Sequence, residues 1–299
     1  MRSALKILEI ISLLLAGILL GSLSAAFAAA GSFIIVASVA GSYLIRRYEI
    51  DNVLFESRLH AEVSALDRLF AIAEEAAAVF LCIVLYPFGY VSWRNEWERL
   101  GPGERPLILC HGYMTNRSSL LWLGWRLRKA GRRNVLIPNF RPASASIPEF
   151  AESLSRVVAR ALERTGADKV DLIGHSMGGL VIRYYVERLG GAPQVHTVVT
   201  LGTPHQGTKT AVLGLFETAR QFHPAAPFIR EMQASSLAPE VKMVSLWSEF
   251  DNIVLPPENA LLPPPCANVM LRNVGHVALL FSKQALAHLR LAFAEGNTA

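Results

Sequence analysis

The sequence predicts an α/β protein, a mostly parallel sheet with helices on both faces, preceded by N-terminal transmembrane helices. Three observations carry this. From Pro106 onward, short apolar runs alternate with helical stretches, the pattern of successive βα units. The strand segments are continuously apolar, as strands buried on both faces are. The first 45 residues are almost wholly apolar, long enough to cross a bilayer.

A chain of 299 residues suits one large domain plus an appendage. Residues 1–93 hold 6 Lys/Arg and 8 Asp/Glu, whereas residues 94–299 hold 23 and 16. The basic half fits attraction to an anionic membrane surface, or simply a solvated Arg-rich face. No basic run is interleaved with aromatics, so nucleic acid is not an expected partner. Cys82, Cys110 and Cys266 show neither metal-ligand spacing nor a disulfide framework.

Ile7 to Ile45 is a 39-residue apolar run broken only by Glu9. A bilayer core needs about 20 helical residues, so two spans fit, with a turn near Ser22-Leu23-Ser24. Residues 1–45 are therefore expected to form a transmembrane hairpin, helped by Gly17 and Gly21 at small-xxx-small spacing. A cleaved signal peptide is the rival reading. Residues 46–105 read as a helical linker. Within it, Ala76–Trp93 is either a third span or an interfacial helix, with Tyr86, Tyr90, Trp93 and Trp97 as a belt. Arg2 and Lys6 before the hairpin, and Arg46 and Arg47 after it, put both its ends on the cytoplasmic side. Two spans then leave the rest of the chain cytoplasmic. Three spans, the narrowly preferred count, place it in the periplasm.

Residues 106–299 form the expected catalytic domain. Leu107–Cys110 reads as a strand and Leu120–Ala130 as a helix stopped by Gly131. Val135–Pro138 is a strand, and Ile147–Thr165 a helix stopped by Gly166. Val170–Gly174 is a strand, and Met177–Leu189 a helix closed by Gly190-Gly191. Val195–Leu201, Val241–Trp247 and Asn268–Val274 are further strands, and Leu280–Ala294 closes the chain as a helix. In such sheets, function gathers at the carboxyl ends of the strands.

One of those ends carries Gly174-His175-Ser176-Met177-Gly178 between a strand and a helix. This is the sharp turn that displays a serine as a nucleophile. The flanking glycines let strand and helix pass closely, and the helix N-terminus favours developing negative charge. A serine needs a base, and the base needs a carboxylate to orient it. Among His196, His205, His223, His276 and His288, His276 lies just past the last strand and is the expected base. Asp251, in the loop after Val241–Trp247, is the expected acid, with Glu249 and Glu258 as rivals. Two backbone N–H groups must hold the oxyanion. Met177 supplies one. The loop His111–Asn116 supplies the other, with Tyr113 the first choice and Met114 the alternative. His111 is expected to be a structural hydrogen bonder under that loop. This chemistry requires no metal ion and no cofactor.

These segments resemble the bacterial lipases and esterases of the α/β-hydrolase fold. The likeness rests on His111-Gly112 after a strand, the Gly-His-Ser-Met-Gly-Gly turn, Leu201–Thr208, Asp251-Asn252-Ile253-Val254 and Val274–Leu280, and covers residues 106–294. It implies a serine carboxylic ester hydrolase acting on lipid acyl esters through an acyl-serine intermediate. Residues 1–93 depart from the secreted lipases, and their apolar segments are expected to hold the protein in a membrane, the inner membrane of a bacterium. Residues 209–238 would form either a cap over the acyl pocket or a helix packed on the domain, and His205 would be structural. An acyltransferase or thioesterase with the same triad is the alternative reading. A non-catalytic membrane scaffold comes last.

Overall fold

Six strands line up in the order β2-β1-β3-β4-β5-β6, every neighbouring pair parallel, in a computed structural model that describes residues 29–51, 64–91, 96–235 and 237–294. The strands are β1 (Leu107–Cys110), β2 (Val135–Leu136), β3 (Val170–His175), β4 (Val195–Leu201), β5 (Lys242–Ser248) and β6 (Ala267–Leu271). Successive side chains on a strand point to opposite faces. Leu107, Leu109, Ile173, Val199 and Leu246 therefore pack with α3 (Leu121–Lys129) and α8 (Lys283–Ala292). Ile108, Cys110, Leu172, Val198 and Met243 pack with α4 (Ile147–Thr165) and α5 (Met177–Arg188).

The helices end where local chemistry stops them. In α4 the Ser146 hydroxyl accepts from the Glu149 N–H while the Glu149 carboxylate accepts from the Ser146 N–H. Gly166, in the left-handed region at φ 68°, closes the other end.

Three elements are shorter than the sequence suggests. β2 stops before Pro138, which has no N–H to give a ladder, and the Ile137 N–H turns to Glu96. β6 ends at Leu271, because Asn273 adopts φ 55° and swings the chain toward His276. The last helix splits into a 3-10 turn, Ala278–Phe281, and α8, since the Ser282 hydroxyl caps the Ala285 N–H at 3.3 Å.

Two long apolar helices precede the sheet: α1 (Ala29–Asp51) and α2 (Ala65–Leu85), the latter running into a 3-10 turn at Tyr86–Tyr90. Both are long and apolar enough to cross a membrane by length and composition. The first part of the expected hairpin, with its turn near Ser22–Ser24, lies outside the described residues. α2 starts at Ala65, well before the apolar run at Ala76, because Ser64 caps it by accepting from the Asp67 N–H at 3.1 Å.

Both helices pack on the loop that follows β5. Val39 and Tyr43 of α1, Ala71 of α2 and Phe250 form a small buried cluster, with the Tyr43 and Phe250 rings 4.9 Å apart. An Arg46 guanidinium N–H donates to the Glu249 carbonyl, and Asn252 Nδ2 donates to Ser42 Oγ at 2.8 Å. Lys209 pairs with Glu49. Beside exposed charges such as Arg47, Asp51, Asp67 and Glu74, the remaining faces carry exposed apolar side chains, with Phe33, Ile34 and Leu44 on α1 and Leu66, Leu69, Phe70 and Ile83 on α2.

Between β4 and β5 lie a 3-10 turn (Lys209–Leu213), α6 (Glu217–Gln221) and α7 (Pro227–Ala234).

Candidate active site

Ser176 stands between β3 and α5 with φ 54° and ψ −122°, a conformation L-residues rarely adopt. The turn is held because the Ser176 N–H donates to the Leu201 carbonyl at 2.9 Å. It is possible because of its glycines. A Cβ on Gly174 would lie 2.5 Å from the Gly179 backbone, and one on Gly178 would run into the Cys110 carbonyl. Gly112, in the loop after β1, approaches so closely that a Cβ there would sit 3.2 Å from the Ser176 Cβ.

His276 is buried in the segment between β6 and the 3-10 turn. Its Nδ1 is 2.8 Å from Asp251 Oδ2. Asp251 is held by its other oxygen, which accepts from the Ile253 and Val254 N–H groups at 2.8 Å each. An Asx-type turn of this kind is what a short carboxylate in a tight loop forms. Of the acids weighed, Asp251 is the one hydrogen-bonded to His276. Glu249 turns instead to the Asn273 N–H at 3.4 Å.

His276 is held by its backbone as well. Its N–H donates to Asn252 Oδ1 at 3.1 Å, and its carbonyl lies 3.1 Å from His175 Nε2. Burial, with the neighbouring His276 charge, pushes the His175 pKa down to about 3. His175 is therefore neutral, with its proton on Nε2 to satisfy that carbonyl. Thus the residue before Ser176 in the chain grips the His276 backbone. Gly202, at φ 53°, leaves space for the pair, since a Cβ there would stand 3.1 Å from Asp251 Oδ2 and 3.2 Å from His276 Nδ1.

Burial opposes a charge on His276, but the Asp251 carboxylate and its hydrogen bond outweigh it, and Glu75 adds to them. The net is a pKa above the ordinary imidazole value of about 6.5.

The other histidines among the described residues lie apart from this pair. His111 accepts from the Phe140 N–H at Nε2, 3.1 Å away, so its proton is on Nδ1 and donates to the Gly112 carbonyl at 3.0 Å. Burial holds its pKa down to about 4. It is a neutral brace under the loop. His205 Nε2 is 3.0 Å from Thr200 Oγ1, His223 accepts from the Ala225 N–H, and His196 sits beside Thr197 and Asp171. His288 lies on α8.

A pocket of about 210 Å³ opens on Ser176. Tyr113, Phe222 and Val254 form part of its wall, Ala211 and Leu213 come from the insertion, and Ser42 and Ile45 from α1. Tyr113 ties two of these parts together, its hydroxyl accepting from the Leu215 and Phe216 N–H groups at 3.0 and 3.3 Å. Met177 is the first residue of α5, where helix N–H groups lack internal acceptors. Neither the α1 wall nor Glu75, His175 and Asn252 was expected from the sequence. His175, Gly202 and Asn252 lie within segments that carry the lipase likeness, so they could have been picked out. The others bear no local signal. Among the described residues, no group of three metal-ligating side chains comes together.

A family model described as the alpha/beta hydrolase fold matches residues 105–226. The chain has the α/β-hydrolase fold, and it resembles the bacterial lipases and esterases built on it. Over 61 residues it is 51% identical to a triacylglycerol lipase of Pseudarthrobacter phenanthrenivorans and, equally, to one of Burkholderia plantarii. That stretch is 20% of this chain and only 18% and 16% of those two lipases. Among solved structures, Aspergillus fumigatus lipase B is similar with a TM-score of 0.56 and 20% identity, over 62% of this chain and 51% of that one. The mature form of Bacillus licheniformis lipase BlEst2 is similar with a TM-score of 0.55 and 15% identity, over 65% and 93%.

Proposed function

We propose that the protein is a membrane-anchored serine carboxylic ester hydrolase that cleaves lipid acyl esters. One arrangement carries this reading: a serine at positive φ opens on an apolar pocket, and the residue before it in the chain contacts the backbone of a buried histidine that is hydrogen-bonded to an aspartate. In the proposed cycle Ser176 Oγ attacks the ester carbonyl while His276 Nε2 takes its proton. Asp251 holds Nδ1–H and stabilises the imidazolium. The Met177 and Tyr113 N–H groups receive the oxyanion. His276 then protonates the leaving alcohol. Water, deprotonated by His276, attacks the acyl-serine and releases the fatty acid and Ser176.

The apolar lining and the two similar triacylglycerol lipases favour a lipid acyl group over a small soluble ester. Each methylene buried contributes about 0.8 kcal/mol, so kcat/KM should rise roughly threefold to fourfold per added methylene until the pocket is filled. The assay is hydrolysis of p-nitrophenyl esters of increasing chain length by the detergent-purified protein. Its acid limb should lie above about 6.5, because His276 must be neutral to act and its pKa is raised. Turnover no better on long chains than on acetate would sink the lipid assignment.

The packing of α1 and α2 bears on attachment. The middle of α2 lies against the domain through Ala71, Glu75 and Ala78, while its other face is exposed and apolar. This favours an interfacial helix over a third span. α1 also packs on the domain from Val39 to Glu49, so the second span of the hairpin lies before Val39, and with two spans the positive charges at both ends keep the catalytic domain cytoplasmic. Protease added to intact spheroplasts should leave the C-terminal domain uncut. Its digestion there would refute this topology.

A further inference from the structure

We propose that Glu75 of α2, outside the α/β domain, is a positioning residue for the base, its carboxylate holding the backbone of the His276 segment. The proposal rests on the serine-hydrolase reading above.

Glu75 is an acid within a 21-residue apolar helix, and it is 1% exposed. A carboxylate so placed is costly to bury unless hydrogen bonds replace its water. Two do. Oε1 accepts from the Val277 N–H at 3.0 Å and Oε2 from the Ala278 N–H at 2.8 Å. These are the two amides that follow His276. They open the 3-10 turn Ala278–Phe281, whose first N–H groups have no acceptor of their own. Glu75 thus caps that turn from a remote helix. On the other side of His276, a Cβ on Gly275 would collide with the Glu75 carboxylate and the Tyr43 hydroxyl. The segment fits against Glu75 both before and after the base.

The backbone of the base is therefore gripped from three directions. Asn252 holds its N–H, His175 its carbonyl, and Glu75 the two amides beyond. Each grip restricts where Nε2 can point, and small displacements of a catalytic group slow the chemical step rather than substrate binding. The charge matters too. Asp251, Glu75 and His175 surround the imidazole, with Tyr43 and Arg46 of α1 behind them. Burial raises the Glu75 pKa, while the Val277 and Ala278 N–H groups and the His276 charge oppose that shift, and in its ionised form Glu75 adds a second negative charge that favours the imidazolium formed in the transition state.

The test uses the full-length chain in detergent, with kcat, KM, the pH profile and the melting temperature measured for wild type and four variants. Glu75→Gln keeps the shape and one carbonyl acceptor but loses the second acceptor and the charge. It should lower kcat about 10-fold, leave KM within about twofold, and move the acid limb to lower pH. Glu75→Ala, which also removes the buried cap, should lower kcat about 100-fold. Glu74→Gln, at the exposed neighbour, should match wild type in all four measurements. The isosteric Gln variant is the decisive one, because it leaves no cavity in α2. A folded Glu75→Gln protein with wild-type kcat and an unmoved acid limb overturns the proposal. Ser176→Ala is the separate control, and wild-type turnover by that variant refutes the serine-hydrolase reading itself.

Discussion

Replacing Ser176 with Ala should abolish ester turnover, lowering kcat by roughly 10⁴-fold or more, and should eliminate labelling by a fluorophosphonate probe. Without Oγ no acyl-enzyme forms, and only the pocket and oxyanion donors remain to help water attack directly. The fold should survive. The Ser176 side chain makes no capping bond to α5, and Ala meets the same backbone strain at φ 54° that Ser already bears. The melting temperature should therefore stay near wild type while activity vanishes. Retained labelling at the wild-type rate would remove Ser176 from the nucleophile's role.

Asp251→Asn should cost nearly as much, roughly 10³- to 10⁴-fold in kcat, for a reason specific to this loop. Oδ1 of Asp251 accepts from two backbone N–H groups, and Oδ2 faces His276 Nδ1. An asparagine has only one oxygen. The Ile253 and Val254 N–H groups claim it, so the amide NH2 is turned toward Nδ1. Nδ1 must then accept, its proton moves to Nε2, and the base presents a donor where Ser176 needs an acceptor. The lost charge also lowers the His276 pKa, so whatever activity persists should extend to lower pH. Rates measured against pH on p-nitrophenyl esters give both effects. An Asn variant with wild-type kcat would reassign the orienting acid.

How much of this could be read from the chain depended on how local the cause was. The turn at Ser176 was legible because its demands fall within five consecutive residues: glycines where Cβ atoms would collide, and a strand and a helix on either side. The boundaries of β1, α4 and β4 follow from local apolar runs and caps, and they agree with the expected ones. β6 and the final helix differ from expectation at the ends that build the site. There, a positive-φ Asn273 and the Ser282 cap override the apolar pattern.

Glu75 marks the limit. From the chain it looks like a charge at the edge of an apolar run, yet its partner Val277 is 202 residues away. Its face of α2, Ala71-Glu75-Ala78, straddles the change from charged to apolar sequence, so no window isolates it. Arg46 is similar. It reads as a flanking positive charge, and the structure sets it against Glu249 and over the Phe250 ring at 4.7 Å.

The placement of Ser42 and Ile45 in the pocket wall has a bearing on how the proposed membrane-anchored hydrolase could be released from its anchor. A proteolytic cut between α1 and the sheet would set free a domain with an intact Ser176, Asp251 and His276, but with one side of its acyl pocket open to water. A cut beyond α2 would also unseat the acid behind the base. On the proposed reading, attachment and activity are one inheritance, and shedding would act as an off-switch rather than as a route to a secreted form.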